Sequence, residues 1–267
     1  MNIHHTSIID PEAKLGTCIE IGPYVVIDGC AEIGNHSTLE SHAVIKGDVR
    51  VGAKNVIGHG AIIGTLPQDL SFSADRKTGV QIGNENVIRE LCTIHRGSAE
   101  GSMTKIGDKN FMMAGAHVGH NCEIGNNVII ANNCLLGGHV SIGDGAFLGG
   151  GCVFHQNIRV GRLAIAQGAS AFSKDIPPFV IAAERNYVFG LNVIGLRRAG
   201  FGAQERDEVK AAFKLVYASG LNIGQAIEKA AMMNFGPAAR EFIDFVAAAK
   251  QRGICPLKSG ADAATAD

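Results

Sequence analysis

The sequence predicts a mainly β chain wound as a parallel β-helix and finished by a small α-helical bundle. Three observations predict it. Aliphatic residues recur at every sixth position from the start: Ile3, Ile9, Leu15, Ile21, Ile27, Ile33, Leu39, Ile45, Val51, Ile57 and Ile63. Glycine often follows the aliphatic residue, at positions 16, 22, 34, 52, 58 and 64. The 267 residues include 35 Gly, only 6% aromatics and no Trp, the composition of a chain that turns regularly. A period of six fits neither the 3.6 of a helix nor the 2 of a plain strand, but it suits short strands separated by corners.

Each element follows from that reading. Residues 1–190 form the β-helix. Three hexapeptides close one triangular coil of about 18 residues, and successive coils stack ~4.8 Å apart. The aliphatic residue fills the prism, and the small residue four positions later, often Cys, Ala or Val, packs beside it. The pattern pauses at 65–79 and at 96–105, stretches rich in Gly, Ser and charge that read as surface excursions. It then runs from Ile106 through Met112, Val118, Ile124, Ile130, Leu136, Ile142, Leu148, Phe154, Val160 and Ala166 to Phe172. Residues 191–254 read as a helical domain. Ala203–Ser219 places Val209, Phe213 and Val216 on one face and stops at Gly220; Asn222–Asn234 repeats the pattern; a third helix starts at Pro237 and stops at Gly253. Its expected task is to cover a coil edge that would otherwise pair with other strands. The segment 255–267 reads as a disordered tail.

Composition excludes several classes. A formal charge of −1 gives no global field toward nucleic acid or anionic lipid. Seven cysteines without a CxxC pair indicate neither a disulfide framework nor a thiolate metal site. The N-terminus lacks the pattern of a secretory leader, and no run approaches the roughly 20 apolar residues of a membrane span. A cytoplasmic protein is expected.

Against this uniform background, His117, His120, His139 and His155 gather in the later repeats. With a coil of about 18 residues, His120 and His139 lie one coil plus one residue apart, and His155 falls near the same corner one coil on. Distant imidazoles thereby fold into one stripe, whereas His36, His42 and His59 read as solvated surface residues. Two chemistries suit the stripe. One imidazole could act as a general base for a hydroxyl attacking an acyl thioester, with the N–H of Gly138 stabilising the oxyanion. Alternatively, three histidines could hold zinc with an open water position. A non-catalytic scaffold is the third reading.

Several stretches are more specific than the hexapeptides: GTLPQDL (64–70), IRELCTIHRG (88–97), AHVGHNC (116–122), ANNCLLGGHVSIGD (131–144), VFHQ (153–156), DIPPFVIA (175–182) and GLRRAGF (195–201). In this order, and followed by helices, they resemble the UDP-N-acetylglucosamine O-acyltransferases of lipid A biosynthesis to about residue 250. The resemblance implies a left-handed coil, a homotrimer with sites between neighbouring β-helices, and no cofactor or metal. It also implies transfer of a 3-hydroxyacyl chain from acyl carrier protein to the 3-hydroxyl of UDP-N-acetylglucosamine. By the same resemblance His120 is the general base, Gly138 the oxyanion donor, and His117 and His139 line the cleft. Asp69, His155 and Gln156 would hold the sugar, Asn192 and Arg198 the nucleotide, and Gly168 would mark the end of an acyl groove left open for a long chain. Arg159, Arg162 and Lys174 are candidates to meet the acidic carrier.

Three positions depart from the pattern: Asn121 where some relatives are acidic, and Ser71 and Ala199 where relatives can be basic. These leave a 3-amino UDP-sugar as an alternative acceptor. The related N-acyltransferases carry an additional N-terminal domain before their coils, whereas here the repeats begin at Ile3. The zinc enzymes of similar fold, the γ-class carbonic anhydrases, are shorter.

Overall fold

The computed structural model describes residues 1–249 and 252–260. Its strands, mostly two residues long, assemble into three sheets that form the walls of a prism, parallel throughout except where Tyr187–Leu191 turns back antiparallel on Val180–Ala183. Face A has eleven strands from Asn2–Ile3 to Tyr187–Leu191, face B nine from Ile8–Ile9 to Ala171–Phe172, and face C eight from Lys14–Leu15 to Arg159–Val160. The register advances by one coil of 18 residues, so Glu20 lies over Thr38 and Ile129 over Phe147.

The hexapeptide rule works because a two-residue strand points one side chain in and one out. The inward residue is the sixfold aliphatic. Ile57, Ile88, Met112, Ile130 and Leu148 stack inside face A, and Ile63, Ile94, Val118 and Leu136 inside face B, all fully buried. Ile3 is 39% exposed because the first coil has no coil beneath it. At the corners the backbone turns through left-handed conformations, held by Asn121 (φ 59°), Asn127, Asn133, His139 and Asn157. Asn tolerates this region better than most residues. The outward residues differ by face. Face C carries a charged ladder, Lys14, Glu32, Arg50, Lys105 and Glu123, whereas face A carries Val56, Val87, Phe111, Ile129, Phe147 and Ile165.

Both excursions leave the prism at the corner between faces B and C. The first connects Ile62–Thr65 to Gly79–Ile82, and the second connects Thr93–His95 to Met103–Ile106. Across them the register offset rises from 18 to 31 and then 24 residues. A buried asparagine ladder keeps the coils aligned there. Asn55 Oδ1 accepts from the Asn86 backbone N–H (2.9 Å), Asn86 Oδ1 from that of Asn110 (2.8 Å), and Asn110 Oδ1 from that of Val128 (2.7 Å). The two loops are tied together: Arg76 donates to Ser98 O (2.9 Å), and the Lys77 N–H to Glu100 (3.0 Å).

The three expected helices form as α2 (Ala203–Tyr217), α3 (Ile223–Ala231) and α4 (Pro237–Ala247). A short α1 (Val193–Arg198), capped by Asn192, precedes them and was not expected. Helix α4 packs against the end of face C. Arg159 lies 4.2 Å from the Phe245 ring and donates to Phe245 O (3.0 Å), and Arg162 pairs with Glu241 at 2.7 Å. These two arginines therefore fasten the bundle to the coil and are not free to meet an acidic carrier, contrary to the expectation from sequence.

The tail is also corrected in part. Cys255 is buried, its N–H donates to Asp175 O (2.8 Å), and Val188 exchanges hydrogen bonds with Pro256 and Lys258. Residues 255–258 thus lie against the prism end as an extended segment. Residues 261–267 of the expected tail lie outside the described residues.

Candidate active site

The corner between faces B and C repeats at 119–122, 137–140 and 155–158, so one edge of the prism collects His120, His139 and His155. The excursions leave from this same edge and wall it. The result is a cleft of 360 Å³ lined by Gln68, His95, His117, Gly119, His120, Gly137, Gly138, Phe154, His155 and Gln156.

His120 occupies the middle. Its Nδ1 lies 2.9 Å from Asn121 Oδ1, which also accepts from the Ser98 N–H (3.0 Å) and the Ser98 hydroxyl (2.8 Å). A backbone N–H can only donate, so the atom it meets is the amide oxygen, and that oxygen requires a proton on His120 Nδ1. In the neutral ring Nε2 then holds the lone pair. A Cβ placed on Gly138 would lie 2.5 Å from that Nε2, so only glycine leaves room for the ring. The Gly138 N–H meets no backbone acceptor among the described residues.

The neighbouring imidazoles are set differently. His117, the outward residue of the strand His117–Val118, bonds Thr93 Oγ1 through Nδ1 at 2.8 Å and packs edge-on to His95, ring centroids 5.0 Å apart. Burial, reinforced by His95, pushes its pKa down to about 4, so it is neutral at pH 7. His95 is itself held down by burial, against the opposing effect of its bond to Leu66 O. Neutral rings donate and accept hydrogen bonds but offer no charge to a phosphate. Asp69 accepts from the Ser71 N–H (2.9 Å) and hydroxyl (2.8 Å), and these bonds lower its pKa, with a smaller contribution from His120. Ser71 thus orients the loop carboxylate.

The remaining sequence candidates divide. His155 and Gln156 line the cleft. His139 packs perpendicular to His120 with ring centroids 5.1 Å apart, yet it lines the adjoining depression with Ser102, Met103 and Asn121 rather than the cleft itself. Asn192 and Arg198 lie elsewhere, in a 630 Å³ pocket where the turns at Gly145 and Leu163 lead from face C to face A and α1 forms a wall. Asn192 is buried, accepts from the Gly195 N–H and donates to Leu163 O, so both ends of its amide are engaged in holding α1. The exposed Arg198 makes no ion pair among the described residues. Gly168 is exposed at the corner between faces A and B, where a side chain's Cβ would meet only the Gly150 backbone. His95 and Gln68 were missed in sequence as site residues. Among the described residues, no three His, Cys, Asp or Glu side chains converge as a metal-ligand group.

A parallel β-helix of hexapeptides with a histidine-lined cleft at one edge belongs to the class of hexapeptide-repeat transferases. The family model of the bacterial transferase hexapeptide matches residues 103–138, and that of UDP N-acetylglucosamine O-acyltransferase, domain 2, matches 175–255. The chain belongs to the UDP-N-acetylglucosamine O-acyltransferase family. It is 37% identical to the acyl-[acyl-carrier-protein]–UDP-N-acetylglucosamine O-acyltransferase of Campylobacter concisus over 98% of this chain and 99% of the relative. It is 43% identical to that of Paraburkholderia phymatum over 94% and 98%. The solved structure of LpxA from Acinetobacter baumannii superposes with a TM-score of 0.91 at 36% identity, covering 97% of this chain and all of the other. The UDP-N-acetylglucosamine acyltransferase of Francisella novicida gives 0.92 at 33% identity, covering 99% of each. A coil of opposite hand could not superpose so closely, and the fold is the left-handed β-helix of that family.

Proposed function

We propose that this enzyme transfers a 3-hydroxyacyl chain from the thioester of acyl carrier protein to the 3-hydroxyl of UDP-N-acetylglucosamine, with His120 as general base. The observation that carries the reading is the His120 Nε2 lone pair facing Gly138 in a cleft, within a chain whose relatives carry this activity in their names. The sugar hydroxyl attacks the thioester carbonyl while Nε2 takes its proton. The Gly138 N–H donates to the oxyanion that forms. Collapse breaks the C–S bond, and the imidazolium returns the proton to the departing thiolate. Asp69, His155 and Gln156 hold the sugar, and neutral His117 positions it by hydrogen bonding. No cofactor enters this scheme. Free cysteines throughout fit a reducing, cytoplasmic setting.

The nucleotide end supports an assembly of copies, which the family resemblance makes a homotrimer. On one chain the cleft and the Arg198 pocket occupy different prism corners, so one UDP-sugar cannot use both unless a second copy supplies the pocket. The outward ladders agree. From Val56 onward face A is apolar, face B exposes Leu135 and Val153, and face C is charged, so the later coils of A and B are the faces a second copy would cover. Arg198 of the adjacent copy then meets the diphosphate through its guanidinium. From the cleft, Leu135, Val153 and Ala171 lead along face B toward Gly168, an apolar track for the acyl chain.

An acyl-transfer assay with UDP-N-acetylglucosamine and a set of acyl carrier proteins tests the scheme. The His120→Ala variant should lose about 10²- to 10⁴-fold in kcat. A wild-type rate in that variant would remove His120 as base.

A further inference from the structure

Asn121 stands next to the base where the family resemblance leads one to expect an acidic residue in some members, and an amide there creates a problem that a carboxylate does not. A carboxylate presents an acceptor whichever way it turns. An amide has one accepting and one donating end. With Oδ1 toward His120, Nδ1 carries the proton and Nε2 can act as base. With Nδ2 toward it, Nδ1 must accept, the neutral ring carries its proton on Nε2, and the base is lost.

The surroundings of Asn121 resolve the choice. Ser98 directs two donors, its backbone N–H at 3.0 Å and its hydroxyl at 2.8 Å, at the same amide oxygen that faces His120. A reversed amide would set its NH₂ against that backbone N–H, two donors with no acceptor. The backbone beneath is fixed as well, since the Asn121 N–H donates to buried Thr104 Oγ1 at 2.8 Å. Ser98 is buried, lies in the second excursion and is tied to the first through Arg76. It does not line the cleft, and its side chain meets the base through Asn121.

We propose that Ser98 is a positioning residue: by holding the Asn121 amide oxygen toward His120 it sets the imidazole tautomer, and so lets a neutral residue replace a carboxylate beside the base. The proposal rests on the reading of His120 as general base.

It demands a specific dependence of one substitution on another. Steady-state kcat, and KM for UDP-N-acetylglucosamine, should be measured for the wild type, Ser98→Ala, Asn121→Asp, the double variant and His120→Ala. Loss of one of the two orienting donors in Ser98→Ala should lower kcat about 3- to 10-fold with KM unchanged. In the Asn121→Asp background the same Ser98→Ala change should cost less than about 2-fold, because no wrong end remains to turn inward. Equal loss in both backgrounds would show that Ser98 only holds its loop, and would overturn the proposal. So would a change confined to KM, no loss in the single variant, or an inactive Asn121→Asp protein, since a carboxylate offers the same acceptor. An active His120→Ala protein would instead remove the base reading itself, which distinguishes the two failures.

Discussion

Two histidine-bearing edges of the same prism show what makes a site. Along the corner between faces A and B, the early coils carry Tyr24, His42 and His59, all exposed. Tyr24 stacks on His42 at 5.0 Å, and His59 meets Ser41 and Glu40 in solvent. Along the corner between faces B and C, the later coils carry His120 with His117 and His95 beside it. The winding alone aligns imidazoles at either edge. Only at the second does the chain leave the coil twice, and the walls it builds there desolvate His95 and His117 and give Asn121 its partner Ser98.

That contrast can be broken or sharpened by substitution. The largest effect is expected at the walled edge, where His120→Ala should lower kcat about 10²- to 10⁴-fold. Gly138→Ala comes next. Its methyl must displace the His120 ring from the reacting position, and a loss of roughly 10²-fold in kcat, of the size that misplacement by an ångström produces, is expected in the same assay. The third effect is on stability. Burial holds the His117 pKa down to about 4 in the folded chain, against about 6.5 unfolded, so its contribution is complete above pH 6.5 and is lost as pH falls toward 4. Urea unfolding between these limits should show a decline of up to ~3 kcal/mol from this residue, absent in His117→Gln. Gly168→Met should then shift donor preference toward shorter acyl chains with little change in total rate, measured by competing carriers of different chain length. Preference for a ten-carbon over a fourteen-carbon donor in the wild type would contradict an open groove. The smallest effects belong to the solvated edge: His42→Ala and His59→Ala should leave kcat/KM within about 2-fold.

Much of this was legible in the sequence because the repeat is a ruler. Ile21, Ile57 and Leu136 declare the interior by spacing alone, and counting by coils placed His120 and His155 on one edge. The ruler fails where the chain leaves it. His95 lies 22 positions before His117, across the second excursion, so coil counting did not bring it into the site although the rings touch. Local backbone chemistry was equally hidden. Asn192 reads as a polar ligand but caps α1, Arg159 and Arg162 read as free charge but fasten α4, and His139 lines the depression beside the cleft. Asn121 stood out only as a departure. Its function depends on Ser98, 23 residues away, a contact no periodicity announces.

The central claim is that the base of one copy works on a UDP-sugar held by Arg198 of the next. Co-expressing His120→Ala with Arg198→Ala tests it directly, with activity read at UDP-N-acetylglucosamine concentrations below KM. If sites form between copies, mixed trimers regain about one quarter of wild-type sites from two impaired parents. Activity no higher than the mean of the two parents would place both residues' work within a single chain and contradict the account.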